Sequence, residues 1–251
     1  MNAGHSVEVV PDHAALAMRA SDIVCEFLSR PTSGPLGTAT GGTMEPVYAE
    51  LVRRHKAGAV SFAGRSAFGL DEYVIDPGHS QSYHRFMQER LWDHVDVDPA
   101  GWHLPTPWKR KPRNIKLMCE AYEIHIADAE YIGLQLLGLG PLCHIGFNMP
   151  GSTATSRTRI VRLDEPTRAA NSRYFGGNID SVPKFAVTMG IATIMEARDI
   201  LMLVSGAHKA QEVYDALEGD YRTRERPAVA LRRHRRVKWI IDEAAASLLP
   251  R

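Results

Sequence analysis

Gly-Leu-Gly-Pro-Leu-Cys-His-Ile-Gly-Phe-Asn-Met-Pro, at residues 138–150, follows an apolar segment at residues 132–137 that predicts a buried strand. His144 therefore lies just past the carboxyl end of that strand, where open α/β sheets bind ligands. The segment that continues to residue 175 supplies four arginines: Arg157, Arg159, Arg168 and Arg173. A histidine near several arginines predicts proton transfer on an anionic small molecule.

The rest of the chain alternates between strand and helix patterns. Strands are predicted at residues 6–10, 36–39, 65–70, 199–205 and 237–241, and helices at 14–29, 45–56 and 115–127. Residues 98–113 are rich in Pro, Trp and basic residues and predict an irregular loop. This order predicts an α/β fold, with a doubly wound, mostly parallel sheet flanked by helices in a Rossmann-like domain that spans residues 1–251.

Composition excludes several classes of function. The formal net charge of +1 argues against a nucleic-acid partner bound by bulk electrostatics. No apolar run approaches the roughly 20 residues that cross a bilayer, and the N-terminus does not read as a signal peptide. Cys25, Cys119 and Cys143 form no Cys-x-x-Cys pair, so neither a disulfide framework nor a zinc site is indicated. We expect a cytoplasmic protein without a cofactor or a metal.

Two turns and one acidic pair are candidate site elements. Each turn follows a predicted strand and opens a helix, as phosphate-binding loops do, although ordinary βα turns look alike: Thr40, Gly41, Gly42 and Thr43, and the turn from Gly206 to Lys209. Asp71 and Glu72 end the strand predicted at 65–70. They are either a pair at the ligand-binding edge or a solvated turn.

The order of these motifs resembles the glucosamine-6-phosphate deaminase/isomerase family, whose superfamily also contains 6-phosphogluconolactonase. The resemblance covers roughly residues 7–249. It rests on the motifs TGGT (40–43), DEYV (71–74), HSQSY (79–83), HIGFN (144–148), SRTRI (156–160), ANSRYF (170–175), VPK (182–184) and GAHKA (206–210). It implies isomerase and hydrolase reactions of carbohydrate metabolism on a sugar phosphate, with no nucleic acid and no membrane as partner. Family members range from monomers to hexamers, so a homo-oligomer is one expectation for this chain.

The resemblance implies a role for each site residue. Asp71 matches the carboxylate that moves a proton between C2 and C1, and His144 matches the histidine that opens the sugar ring. Asp71 and Glu72 are neighbours on an extended strand, so only one of them should face the substrate. The substrate phosphate would be held by backbone N–H groups, a guanidinium and an ammonium from Thr40, Gly41, Gly42, Thr43, Arg173 and Lys209.

Two positions depart from the family pattern beside the histidine. Leu142 replaces an aspartate and Met149 replaces a glutamate, and both family carboxylates orient the imidazole. Their loss should depress the pKa of His144 and leave its tautomer less defined. Ser152 and Arg159 match two residues of the family's regulatory phosphate site, but its lysine position is Val161, so this site would be vestigial.

Three functions remain open from the sequence. The main expectation is a family enzyme with altered chemistry that enolises an amino-sugar or hexose 6-phosphate through Asp71 and releases ammonia slowly. The second is an ordinary glucosamine-6-phosphate deaminase that forms ammonia and fructose 6-phosphate, with Glu72 and His208 as the nearest replacements for the lost groups. The third is a catalytically weak sugar-phosphate sensor or partner subunit.

Overall fold

The computed structural model describes residues 4–31, 33–107 and 112–250. Within them, seven parallel strands form the main sheet in the order β1-β10-β9-β6-β2-β3-β5. These strands are β1 (His5–Val10), β2 (Leu36–Thr38), β3 (Ala67–Gly69), β5 (Trp102–His103), β6 (Leu134–Gly138), β9 (Asp199–Val204) and β10 (Val237–Asp242). The predicted α/β class with a mostly parallel sheet is confirmed.

Helices flank this sheet. They are α1 (His13–Ser29), α2 (Glu45–Lys56), α3 (Tyr83–Arg90), α4 (Pro112–Asp128), α5 (Glu165–Asn171), α6 (Ile191–Met195) and α7 (Ala210–Leu217). In α1, Leu16, Ala20 and Val24 recur every four residues and are fully buried. The Asp12 side chain caps this helix by accepting a hydrogen bond from the Ala15 amide at 2.8 Å.

A second, antiparallel sheet was not predicted. It has the order β4-β8-β7, with β4 (Asp71–Tyr73), β7 (Arg159–Arg162) and β8 (Phe185–Thr188). Leu70 joins the two sheets, because its amide donates to Thr38 O in the main sheet and its carbonyl accepts from the Met189 amide beyond β8. Asp71 therefore begins a strand of the second sheet and does not simply end one of the first. Of the loop predicted at residues 98–113, residues 108–111 lie outside the described part of the chain. The described residues contain the short edge strand β5 and the start of α4.

Four adjacent strands of the main sheet deliver all the predicted catalytic and phosphate-binding residues except Arg173. In the order β9-β6-β2-β3, these strands lead into Lys209, His144, the Thr40 to Thr43 turn and Asp71. Since these strands are parallel, their carboxyl ends lie along one edge of the sheet. The topology therefore brings residues far apart in the sequence to the same edge.

Candidate active site

Asp71 is a buried carboxylate without a partner. It is only 6% exposed, and no described residue donates a hydrogen bond to its oxygens. A Cβ on Gly146 would lie 3.2 Å from Asp71 Oδ2, so the loop after β6 runs directly against this carboxylate. Burial, with the added charge of Glu72, raises the pKa of Asp71 to about 8. Such a group can take up and return a proton near neutral pH.

Glu72 is also buried, but its carboxylate is hydrogen-bonded. Its carboxylate accepts hydrogen bonds from the backbone amides of Tyr73, Tyr83 and His84 at 2.8–2.9 Å, and it thereby holds the start of α3. Burial raises its pKa to about 7, although the three amide donors act in the opposite direction. Glu72 is therefore a structural anchor, and it does not replace the carboxylates missing beside His144.

The imidazole of His144 is oriented by the backbone. Its Nδ1 lies 2.8 Å from Pro141 O, and since a carbonyl only accepts, Nδ1 carries the proton and Nε2 keeps its lone pair. A Cβ on Gly140 would lie 1.9 Å from Nε2, so only glycine leaves room for the ring there. The sequence led us to expect a less defined tautomer, whereas the structure gives Nδ1 a backbone acceptor, Pro141 O, in place of a carboxylate.

The loop before His144 has two residues in the left-handed backbone conformation. Leu142 and Cys143 both have positive φ, 56° and 57°, a conformation that suits Gly, Asn and Asp better. The Leu142 side chain is half exposed, whereas Cys143 is buried and its Sγ donates to Glu212 O at 3.3 Å. Met149 follows a turn in which the Asn148 amide donates to Ile145 O, and its Sδ lies 4.0 Å from Thr167 Oγ1.

The charge state of His144 follows from its surroundings. Burial lowers its pKa to about 4, the Pro141 carbonyl and Asp164 act to raise it, and Lys209 lowers it further. This direction agrees with the depressed pKa expected from the sequence. The imidazole is therefore neutral at physiological pH, as a proton shuttle that starts by accepting a proton must be.

The loop at the start of α2 is open to an anion. Gly41 has φ +106°, and a Cβ on either Gly41 or Gly42 would meet nothing within 4 Å. Thr40 and Thr43 are half buried, while the two glycines are exposed. Helix α2, with 12 residues, has no side-chain cap at its N-terminus. Free amides at such a helix start suit a phosphate.

Lys209 and Arg173 converge on the same edge. Burial lowers the pKa of Lys209, Glu212 opposes this, and the nearby Arg173 guanidinium lowers it further. The Lys209 ammonium also lowers the pKa of His144. The turn before Lys209 is fixed by Asp242, which accepts from the Gly206 amide at 2.9 Å and from Ser205 Oγ at 2.5 Å.

Two further predictions concern the pair Ser152 and Arg159 and the side chain of His208. Ser152 and Arg159 do come together, with Arg159 Nη2 donating to Ser152 Oγ at 3.2 Å and Nη1 to Asn148 Oδ1 at 3.0 Å. His208, in contrast, is exposed and its ring lies over Gly206. No described contact joins His208 to His144, so it does not supply the missing carboxylate function.

A cavity of about 820 Å³ lies away from these residues, between α3, β5 and α4. Its aromatic walls include Trp92, Trp102 and Tyr122, and none of the predicted site residues lines it. We place the site at the strand ends, because that is where the unpaired carboxylate, the oriented imidazole and the two cations lie. Among described residues, no group of three His, Cys, Asp or Glu side chains could hold a metal ion, and no helix could cross a membrane.

Comparison with known proteins identifies the family. Residues 12–239 match the family described as glucosamine-6-phosphate isomerases/6-phosphogluconolactonase. The chain belongs to this family, and it is an isomerase- or deaminase-like enzyme.

Individual relatives match over nearly their full length. A glucosamine-6-phosphate deaminase of Rhodopirellula baltica is 46% identical, with 97% of this chain and 95% of the relative covered. One from Shouchella clausii is 42% identical, with 95% of each chain covered. The solved structure of a monomeric glucosamine-6-phosphate deaminase has a TM-score of 0.89 at 39% identity, covering 97% of this chain and 99% of that one. These relatives favour the ordinary deaminase over the altered chemistry that was the main expectation.

Proposed function

We propose that this protein is a glucosamine-6-phosphate deaminase that converts glucosamine 6-phosphate and water into fructose 6-phosphate and ammonia. The observation that carries the proposal is the buried, unpaired Asp71 carboxylate, held against the loop that presents His144. The deaminases similar to this chain over almost its whole length support the same reaction. The altered enolisation expected from Leu142 and Met149 has no comparable support.

The proposed reaction has three steps. Nε2 of neutral His144 takes the proton of the anomeric hydroxyl and delivers it to the ring oxygen, which opens the ring. Asp71, as a carboxylate, then takes the proton from C2 and returns it to C1, while the amine gives up one proton and O1 of the aldehyde gains one. This leaves an imine at C2, and water hydrolyses it to the ketone and ammonia. The substrate phosphate would lie on the turn of Thr40 to Thr43, near Lys209 and Arg173.

The backbone explains how ring opening proceeds without the family carboxylates. A neutral histidine needs a fixed tautomer, which Pro141 O supplies, and a free Nε2. It does not need a raised pKa to accept the first proton. The imidazolium formed in passing is less stabilised than beside a carboxylate, so ring opening should be the slow step.

The direct test measures the ammonia and fructose 6-phosphate formed from glucosamine 6-phosphate, with the wild type and each variant at the same enzyme concentration. We expect one ammonia for each fructose 6-phosphate. Arg173→Ala should raise KM by roughly ten- to a hundredfold, because one charge-assisted interaction is lost. Arg162→Ala is the matched control, since Arg162 is an exposed arginine on β7 that has no predicted phosphate role. Absence of ammonia with every amino-sugar phosphate tried would contradict the proposal.

A further inference from the structure

Tyr73 contacts both ends of the short segment that carries Arg173. This segment, residues 171–175, begins at the last residue of α5 and forms a tight turn. At its start, Asn171 Nδ2 donates to the Tyr73 hydroxyl at 3.0 Å. At its end, the Phe175 ring meets the Tyr73 ring edge-on, with 5.8 Å between the ring centroids. Arg173 therefore lies midway between two contacts to one buried side chain.

The attachment of this segment decides where the Arg173 guanidinium lies. The Arg173 side chain is exposed, and its guanidinium lies 4.8 Å from the centroid of the Tyr174 ring in the same segment. No carboxylate in the described part of the chain forms an ion pair with it. The end of the segment is also held by His79, whose ring stacks on Phe175 with 5.7 Å between centroids. At the start, the bond to Tyr73 is the one described hydrogen bond of the Asn171 side chain.

Tyr73 also belongs to the strand that carries Asp71. The two residues are two positions apart in β4, so their side chains leave the strand on the same face. Burial raises the pKa of Tyr73 to about 12, so its hydroxyl is neutral at physiological pH. This hydroxyl therefore joins the strand of the proposed base to the segment of the proposed phosphate-binding arginine.

We propose that Tyr73 is a positioning residue that fixes Arg173 relative to Asp71 through its hydrogen bond to Asn171. This role rests on the proposed function, because a substrate held by its phosphate and deprotonated at C2 needs both groups at a set separation. Tyr73 acts through Arg173 and takes no part in proton transfer. Its hydroxyl lowers the conformational freedom that the arginine segment would otherwise lose when the phosphate binds.

Two variants remove this hydrogen bond from opposite sides. Tyr73→Phe removes the hydroxyl and keeps the ring with its contacts to Phe147 and Phe175. Asn171→Ala removes the donor from a half-buried position at which the side chain makes no capping hydrogen bond. Tyr131→Phe is the matched control, because the Tyr131 hydroxyl is also hydrogen-bonded, to Arg198 Nη1 at 3.4 Å, but lies before β6 at the opposite edge of the sheet.

The first measurement needs no turnover. Calorimetry should follow the binding of fructose 6-phosphate, the proposed product, with no ammonia present. Tyr73→Phe and Asn171→Ala should each weaken binding by about three- to tenfold, the effect of one neutral hydrogen bond, and Tyr131→Phe should leave it unchanged. Since both variants remove the same bond, the double variant should bind no more weakly than the weaker single variant. Additive losses, or unchanged binding in Tyr73→Phe, would overturn the proposal.

The Arg173→Ala background tests whether Tyr73 acts through the arginine. Adding Tyr73→Phe to Arg173→Ala should weaken binding no further, because no guanidinium remains to be positioned. A further loss as large as that in the wild-type background would contradict the proposal. It would show that the hydroxyl affects the site by another route.

Kinetics separate positioning from general support of the fold. Tyr73→Phe should raise KM for glucosamine 6-phosphate by about three- to tenfold and change kcat by less than about twofold, because binding is lost equally in the ground state and the transition state. A lower kcat with an unchanged KM would contradict the proposal. If the wild type releases no ammonia but the binding losses are seen, the proposed function fails and the positioning role stands.

Discussion

The start of β4 and the loop after β6 lie against each other at Gly146, and they differ in how they match the family motifs. At β4, Asp71 and Glu72 both match the motif, and only Glu72 is hydrogen-bonded to backbone amides. In the loop, Leu142 and Met149 depart from the motif. Leu142 and Cys143 adopt the left-handed conformation there, and Nδ1 of His144 has a backbone carbonyl as acceptor.

This contrast shows which contributions a side chain alone can make. Proton transfer at carbon needs a general base, which no backbone group can supply. The orientation of an imidazole needs only a hydrogen-bond acceptor, which a carbonyl provides. Under the proposed function, the loop can therefore lose its carboxylates and keep the histidine in place, whereas β4 cannot lose Asp71.

The largest expected effect is at Asp71. Asp71→Asn should lower turnover of glucosamine 6-phosphate by about two to four orders of magnitude, because the general base is lost. Proton exchange at C1 and C2, followed by NMR in heavy water, should disappear with it.

Glu72→Gln is the matched control for this variant. It should retain most of the turnover and instead lose roughly 1–3 kcal/mol of stability, because the carboxylate that accepts three amides becomes an amide. Exchange that survives in Asp71→Asn and disappears in Glu72→Gln would reverse the two assignments.

The sequence predicted which strand ends lie side by side better than it predicted the structure around them. Alternating strands and helices were enough to bring the Thr40 turn, His144 and Lys209 to one edge. The opposite directions of Asp71 and Glu72 followed from strand geometry. The second sheet was missed because β4 has three residues and continues from β3 after a single residue, Leu70.

The orientation of His144 could not be predicted from side chains. Pro141 contributes a carbonyl, which every residue has, so nothing in the sequence marks it as the acceptor.

Asp71 should also make the stability of the protein depend on pH. The folded-state pKa of Asp71 is raised from 3.8 to about 8, so its contribution to stability is present below pH 4 and is lost as pH rises through 8. Asp71→Asn removes this loss, and it should exceed the wild type in free energy of unfolding by about 2–4 kcal/mol at pH 8. The gain should be smaller at pH 5, as measured by urea unfolding at both values. An equal gain at both pH values would show that Asp71 is already ionised at pH 5 in the folded protein, and hence that folding does not raise its pKa.

The smallest expected effect concerns the left-handed backbone conformation of Leu142. Leu142 has φ +56° and is 49% exposed, so its side chain gains little from packing while its backbone is strained. Leu142→Asn should therefore stabilise the protein by about 1 kcal/mol, since asparagine tolerates this conformation. Leu248→Asn is the control, because Leu248 is 50% exposed and is not among the described non-glycine residues with positive φ. Thermal unfolding should show a higher Tm only for the first variant. If both variants shift Tm by the same amount, the shift arises from the loss of exposed apolar surface. The backbone of Leu142 would then not be strained.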